Sequence, residues 1–104
     1  MKAQVRVREL WERYKGSGDQ EARGQLAVQY LPLVRFVAGR VRMTLPAFVD
    51  EDDLVGYGVL GLLDAMEKFD PSRGVKFETY AVTRIRGAIL DGLRALDWVP
   101  AHVR

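Results

Sequence analysis

Cationic and aromatic side chains alternate toward the carboxyl end of the chain, in a pattern typical of nucleic-acid binding. The set is Lys76, Tyr80, Arg84, Arg86, Arg94 and Trp98. Lysine and arginine neutralise phosphates, whereas exposed rings stack on unpaired bases and contribute about 1 to 3 kcal/mol per base. Because duplex contact needs only the cations, the added rings favour single-stranded or melting DNA. The alternative is that Tyr80 and Trp98 are ordinary packing residues of the core or of a helix end.

A second cluster combines apolar and acidic side chains on one face of a predicted helix. Asp53, Tyr57, Leu60 and Asp64 follow one another at helical spacing, with Gly56 beside them. Helical spacing places these four side chains in one row along the helix. Apolar side chains inside an acidic rim indicate a protein-binding surface. The alternative is that Tyr57 and Leu60 pack under the first helix of the chain.

The charges are sorted along the 104 residues. Residues 51–70 contain one lysine and six carboxylates, whereas residues 1–50 contain nine lysines and arginines against five carboxylates. Residues 71–104 are again basic, with six cations against three carboxylates. A field sorted in this way predicts a cationic partner on one surface and a polyanion on another, the alternative being solvated helix faces.

Few residues could support catalysis or hold a metal. The chain has no cysteine and one histidine, His102, and no serine stands beside a candidate base. Residues 56–61 match the glycine spacing of a dinucleotide-binding loop, but acidic helical residues precede them where that loop requires a strand. We therefore expect no catalytic residue, no metal and no cofactor, and we do not expect an enzyme.

Helical spacing recurs throughout the chain and strand alternation is almost missing, which predicts an all-α fold. We expect a compact bundle of about four helices in one domain that covers residues 1–104. The predicted helices cover residues 5–15, 19–43 with a bend at Pro32, 50–69 and 77–96. Asp19 and Asp50 are predicted N-caps, and residues 70–74, with their Pro and Gly, are the clearest turn.

Two apolar stripes are predicted to face the core. The stripe of the third helix is Leu54, Gly58, Gly61, Leu62, Ala65 and Phe69. Its glycines let a neighbouring helix approach closely, at a cost of about 1 kcal/mol each relative to alanine. The stripe of the last helix is Phe77, Ala81, Ile85, Ala88, Ile89, Gly92 and Leu96.

The sequence also bears on the compartment. No run of about 18 apolar residues occurs, and the first ten residues carry charges where a signal peptide needs an apolar stretch. We therefore expect no membrane span and no secretion signal. A chain without cysteine is compatible with a reducing compartment, and we expect a cytoplasmic protein.

The stretch DLVGYGVLGLLDAMEKFDPSRGVKFETYA, residues 53–81, closely resembles region 2 of the bacterial RNA polymerase sigma factors. That region has an acidic D-L-x-x-x-G-x-x-G-L helix followed by K-F-D-P-x-x-G-x-x-F-x-T-Y-A. The continuation VTRIRGAILD, residues 82–91, and the DWVP of residues 97–100 resemble the flagellar and sporulation branch, of sigma-28 or WhiG type. The resemblance implies that residues 1–104 form regions 1.2 to 2.4, without regions 3 and 4.

The resemblance implies two macromolecular contacts. The acidic helix of the family binds the clamp helices of the largest subunit of core RNA polymerase, which assigns to that contact Asp53, Gly56, Tyr57 and Leu60. The following segment captures and opens the −10 promoter element on its non-template strand. The residues implied to touch the flipped and splayed bases are Phe69, Lys76, Thr79 and Tyr80. Those implied to face the −10 bases or their upstream edge are Thr83, Arg84, Gly87, Leu90 and Asp91.

This chain departs from the primary sigma factors at several of these positions. Thr83 and Arg84 stand where primary factors have two tryptophans that wedge the upstream fork, which implies different melting at a narrower set of promoters. Tyr57 replaces an acidic residue of the polymerase contact. Gly87 and Leu90 lack the polar side chains that read the −10 duplex in primary factors, and the proposed replacements are Arg84, Arg86 and Arg94 as phosphate or guanine contacts.

Three functions follow as hypotheses. The first is an alternative sigma factor domain that binds core polymerase and recognises and melts the −10 element. The second is a protein-interaction module covered by an anti-sigma factor, a partner that is common in this branch. The third is an ordinary helical regulator that binds fully paired DNA without polymerase.

Overall fold

The computed structural model describes residues 2–96, with side chains described from Arg6 onward. Regular structure in this part of the chain is entirely helical, which confirms the predicted all-α class. None of the described helices has the length and apolar character needed to cross a membrane. The helices are α1 (Lys2–Ser17), α2 (Gln20–Gln29), α3 (Leu31–Arg42), α4 (Glu51–Lys68), a 3-10 helix (Pro71–Arg73) and α5 (Phe77–Ala95).

The helices divide into two compact units, of which the first is Met1–Leu31. In this unit the indole Nε1 of Trp11 donates a hydrogen bond to the hydroxyl of Tyr30 at 3.0 Å. Their rings are tilted at a centroid distance of 6.3 Å. Leu10 and Leu26 are buried. Contacts between α1 and α2 therefore combine apolar burial with one specific polar contact between aromatic side chains.

The connection from α1 to α2 depends on Gly18 and Asp19. Gly18 has a φ of +71°, which glycine adopts without a Cβ clash. Asp19 then accepts hydrogen bonds from the backbone N–H groups of Glu21 and Ala22, which confirms the predicted N-cap. The hydrogen bond from Arg13 is the main cause that lowers the pKa of Asp19, followed by the bond from Ala22.

The predicted single helix over residues 19–43 is wrong, and the described chain has five α-helices where about four were expected. Helix α2 ends at Gln29 and α3 begins at Leu31, with Tyr30 as the C-cap between them. Pro32 has no N–H and cannot continue the hydrogen-bond ladder of α2. It is accepted as the second residue of α3, where a backbone N–H has no intrahelical partner.

The second unit begins at Pro32, and its core lies between α3, α4 and α5. Asp50 caps α4 through the N–H of Asp52, as predicted, and three carboxylates follow in the first turn, where they offset the helix dipole. The predicted turn is confirmed as a 3-10 helix with Asp70 as its cap and Gly74 at a φ of +74°. These caps fix where α4 and α5 begin.

The predicted stripe of α5 is correct over most of its length and wrong at its end. Phe77, Ile85 and Ile89 are buried, but Leu96 is 55% exposed and Leu93 is buried in its place. Leu96 is the C-cap residue, where the backbone leaves the helical conformation, so its side chain departs from the stripe. The predicted stripe of α4 is buried except for Phe69, which is half-buried.

Candidate functional site

Glycines bring α4 and α5 close together and thereby position the candidate site. A Cβ added to Gly61 would lie 2.7 Å from the backbone carbonyl oxygen of Arg84 and 2.7 Å from the Cβ of Ala88. A Cβ added to Gly58 would lie 2.8 Å from Cγ1 of Val34 and 3.3 Å from Cγ2 of Ile85. The predicted close approach is confirmed. The dinucleotide-like glycine spacing of residues 56–61 lies wholly inside α4, so it forms no phosphate-binding loop.

The predicted polymerase-binding residues lie on α4 with unequal exposure. Asp53 and Gly56 are exposed, and Leu60 is 65% exposed. The packing alternative is therefore wrong for Leu60. Tyr57 is half-buried, and its ring lies so close to Gly92 of α5 that any Cβ at that glycine would overlap it. Packing on α5 thus accounts for much of the Tyr57 side chain.

An aromatic cluster joins the end of α4 to the start of α5. The ring of Phe69 packs edge-on against Phe77 at a centroid distance of 5.2 Å and lies 5.8 Å from the ring of Tyr80. Phe77 is buried, whereas Phe69 and Tyr80 are half-buried. Lys76 and Thr79 are exposed next to this cluster. The buried ring anchors two others that keep part of their surface toward solvent.

Arg84 connects α5 to α4 through an ion pair. Its Nη2 lies 2.5 Å from Oδ2 of Asp64, while Nζ of Lys68 lies 3.0 Å from the other carboxylate oxygen. The Arg84 guanidinium also lies 5.7 Å from the centroid of the Tyr80 ring, a cation–π distance. The hydrogen bond from Arg84, and then that from Lys68, lowers the pKa of Asp64, and the same bond to Asp64 raises the pKa of Arg84.

This ion pair was not predicted, because its partners lie on different helices. The two partners are separated by 20 positions, so no local spacing relates them. Gly61 contacts α5 at Arg84, and Asp64 lies one turn further along α4 on the same side. The predicted glycine contact indicated that another helix approaches α4, but only the observed register between α4 and α5 places Asp64 beside Arg84.

Of the other predicted DNA-binding residues, Thr83, Gly87 and Asp91 line an open groove of about 370 Å³ between α4 and α5. Thr83, Arg86 and Asp91 are exposed, and Gly87 and Leu90 are half-buried. Arg94 pairs with Asp91 at 2.6 Å, one turn away on the same helix. Trp98 lies outside the described residues. The lining of the groove is Leu60, Gly61, Asp64, Thr83, Arg84, Gly87, Ala88 and Asp91.

This groove brings the two predicted surfaces into contact. Leu60 comes from the row assigned to polymerase, and Thr83 and Arg84 come from the set assigned to DNA. The charge pattern predicted one surface for a cationic partner and another for a polyanion. The structure instead makes them neighbours along one edge of the α4–α5 pair.

A second, smaller groove of about 190 Å³ contains a residue that sequence analysis did not single out. Phe48 precedes α4, is 73% exposed, and lines the groove together with Asp53, Tyr57 and Leu96. An exposed phenylalanine next to Asp53 extends the apolar and acidic character of the row that is predicted to bind polymerase. The signal in the sequence was an aromatic residue in a loop just before an acidic N-cap.

Comparison with known proteins identifies the family. The model for sigma-70 region 2 matches residues 26–99. The RNA polymerase sigma-D factor of Bacillus subtilis (strain 168) is 55% identical over 95 residues, which cover 91% of this chain and 37% of that protein. The RNA polymerase sigma factor FliA of Escherichia coli (strain K12) is 55% identical over 76 residues, which cover 73% of this chain and 32% of that protein.

A solved structure gives the same result. The cocrystal structure of the flagellar sigma/anti-sigma complex Sigma-28/FlgM matches with a TM-score of 0.65 and 41% sequence identity, covering 85% of this chain and 38% of that chain. The chain spans about a third of the length of the curated relatives it matches. It belongs to the sigma-70 region 2 family, in the branch of the flagellar sigma-28 factors.

Proposed function

We propose that this chain is the part of an alternative sigma factor that binds core RNA polymerase and recognises and melts the −10 promoter element. The observation that carries the proposal is the arrangement of α4 and α5. Leu60 and Asp64 of the apolar and acidic row on α4 share a groove with Thr83 and Arg84 of α5, and the Arg84 guanidinium lies over the Tyr80 ring of the aromatic cluster. We propose that residues 1–104 act as one module of regions 1.2 to 2.4, that it is cytoplasmic, and that it has no enzymatic activity.

The polymerase contact is assigned to Asp53, Gly56, Tyr57 and Leu60, with the clamp helices of the largest subunit as the partner. Leu60 supplies exposed apolar area, and the carboxylates of the first turn of α4 attract a cationic surface. Gly56 is exposed and has no atom within 4 Å of an added Cβ, so it leaves room for a partner side chain. Tyr57 contributes the exposed part of a ring that is otherwise held on α5.

The DNA contact is assigned to the start and the outer face of α5. Unpaired non-template bases would stack on the exposed surface of Tyr80 and Phe69, while Lys76 and Arg86 neutralise phosphates. Stacking and phosphate contacts would offset the cost of unpairing, which is a few kcal/mol per extruded base. Thr83 and Arg84 replace the tryptophan wedge of primary factors, which supports melting at a narrower set of promoters.

Replacing Tyr80 with alanine tests the DNA contact. The Tyr80→Ala variant should lose about 1 to 3 kcal/mol of binding free energy for forked DNA with a single-stranded −10 segment, because a stacking platform is removed. Binding would be measured by fluorescence anisotropy in the presence of core polymerase, with a pool of randomised −10 segments as the source of ligands. Binding to polymerase alone should be unchanged.

A matched control separates stacking from folding. Tyr14 is also half-buried but lies on α1, and Tyr14→Ala should leave the affinity for forked DNA as it is in the wild type. An equal loss of polymerase binding and DNA binding in Tyr80→Ala would mean that the ring holds the fold, and the assigned role would be wrong.

A second candidate function is binding to an anti-sigma factor. The supporting observation is that the matching solved structure is a complex of a flagellar sigma factor with an anti-sigma factor. The exposed Leu60 and Phe48 beside carboxylates suit such a partner. A small helical protein that displaces this chain from core polymerase in a pull-down would support this function.

A regulator of paired DNA makes a different prediction. Such a protein would bind a fully paired promoter without polymerase, as tightly as it binds the forked version. A mobility assay with paired and forked DNA separates the two: preference for the fork supports the sigma factor proposal, and equal binding to both contradicts it.

A further inference from the structure

Arg84 makes two contacts that use the same features a DNA ligand would need. Its guanidinium is paired with the Asp64 carboxylate and lies over the Tyr80 ring. The Arg84 and Asp64 side chains are 36% and 42% exposed, so both are accessible from the groove. The ion pair therefore lies at the surface, where a competing anion can reach it.

Both contacts would compete with DNA, the first for the Arg84 guanidinium and the second for the Tyr80 ring. A carboxylate and a phosphate oxygen bind the same donors of a guanidinium, so Asp64 occupies a donor that a phosphate or a guanine would use. A cation over the ring also covers part of the surface on which a base would stack. In this arrangement Asp64 occupies part of the proposed phosphate-binding group, and Arg84 covers part of the proposed base-stacking ring.

We propose that Asp64 is a positioning residue that competes with DNA for Arg84 and holds the guanidinium over Tyr80 until DNA binds. The inference rests on the proposed function, since it takes Arg84 and Tyr80 as DNA contacts. Lys68 binds the second oxygen of Asp64 and fixes the carboxylate on α4. DNA then binds by exchanging one anion for another at Arg84.

If Asp64 competes with DNA, removing its carboxylate should strengthen DNA binding rather than weaken it. If Asp64 only supported the structure of the site, its removal would loosen Arg84 and weaken DNA binding. If Asp64 competes with DNA, replacing it with asparagine frees the guanidinium and strengthens binding. Asparagine has nearly the same shape as aspartate and lies at a half-exposed position, so the helix pair should be retained.

The test measures the affinity of the 104-residue chain for a short fluorescein-labelled single-stranded DNA of mixed sequence by anisotropy. Asp64→Asn should bind up to about fivefold more tightly than the wild type, the range set by an exposed ion pair. Asp64→Glu keeps the carboxylate and should bind like the wild type. Circular dichroism and thermal unfolding would check that each variant is folded.

Two controls isolate the ion pair from general charge. Glu78→Gln removes one carboxylate from an exposed position in the first turn of α5, and its gain should be smaller than that of Asp64→Asn. In a chain that also carries Arg84→Gln, Asp64→Asn should raise the affinity for single-stranded DNA no more than Glu78→Gln does. The guanidinium for which Asp64 and DNA compete is then absent. Equal gains for Asp64→Asn and Glu78→Gln, or a full gain without Arg84, would overturn the inference.

The outcomes also separate this inference from the proposed function. Wild-type binding to single-stranded DNA with no extra gain for Asp64→Asn would overturn the competition alone. Failure of the wild type and every variant to bind single-stranded or forked DNA, with and without core polymerase, would overturn both.

Discussion

The two faces of α4 differ in how they use side chains. The buried face is apolar and includes Gly58 and Gly61, which contact α3 and α5. The outward face carries Asp53 and Leu60, which are exposed to solvent. Its Asp64 carboxylate forms an ion pair with Arg84 of α5. Among the described residues no polar or charged side chain is buried. Stability therefore depends on shape on the inner face, whereas the proposed binding depends on charge and exposed area on the outer face.

The largest expected effect comes from adding one methyl group to the inner face. Gly61→Ala would place a Cβ 2.7 Å from the Arg84 carbonyl oxygen, which is backbone and cannot rotate away. The helices must separate, and we expect a loss of about 1 to 3 kcal/mol in the free energy of unfolding. Urea unfolding followed by circular dichroism measures the loss.

The matched glycine-to-alanine change on the outer face, at Gly56, should raise the free energy of unfolding instead of lowering it. Gly56 lies in the same helix, and an added Cβ there meets no atom within 4 Å. Gly56→Ala should raise the free energy of unfolding by up to about 1 kcal/mol, because alanine has the higher helix propensity. Equal losses for both glycine variants would contradict the distinction between the two faces.

Changing the exposed Leu60 should have an intermediate effect, on the affinity for core polymerase. Leu60→Asp should weaken binding to core polymerase by about 1 to 2 kcal/mol, because apolar contact area is replaced by a charge. The free energy of unfolding should change by less than about 0.5 kcal/mol, since the side chain is 65% exposed. Binding would be measured by titration of core polymerase with labelled chain.

Val28 provides the control for this change. It is also 65% exposed but lies on α2, in the first compact unit, and is not among the residues assigned to the polymerase contact. Val28→Asp should leave polymerase binding unchanged. A similar loss in both variants would show that any added negative charge weakens binding, and Leu60 would lose its assigned role.

Much of this fold could be predicted from local signals. The caps Asp19 and Asp50 and the left-handed Gly74 each depend on a few neighbouring residues, and each was predicted correctly. The break at Tyr30 was not, because a proline after a long apolar pattern is compatible with either a bent helix or a new helix.

The candidate site shows the same limit more clearly. Asp64 was predicted in the outer row of α4 and Arg84 among the DNA-binding residues of α5, and both side chains are half-exposed. Sequence analysis could not give the register between α4 and α5, which depends on how Gly61 fits against Arg84 and Ala88. The ion pair and the shared groove follow from that register. Contacts between elements that are distant in sequence were therefore the part that periodicity alone could not supply.

The smallest expected effect is the pH-dependent contribution of Asp64 to the free energy of unfolding. It tests whether the outer face of α4 stabilises the fold through charge or through shape. Arg84 first, and then Lys68, lowers the pKa of Asp64 below its ordinary value of about 3.9. A carboxylate with a lowered folded-state pKa stabilises the fold fully above its unfolded-state pKa, and this contribution is lost as pH falls through the folded-state pKa. Asp64→Asn should therefore unfold at slightly lower urea concentration than the wild type at neutral pH.

That small difference should shrink in urea titrations carried to progressively lower pH, as the wild-type carboxyl becomes protonated on passing its lowered folded-state pKa. The loss caused by Gly61→Ala should persist over the same range, because no titrating group creates the steric overlap with the Arg84 carbonyl. If the Asp64→Asn difference persisted in acid, the shape of Asp64 rather than its charge would be what stabilises the fold. The outer face of α4 would then depend on packing as the inner face does.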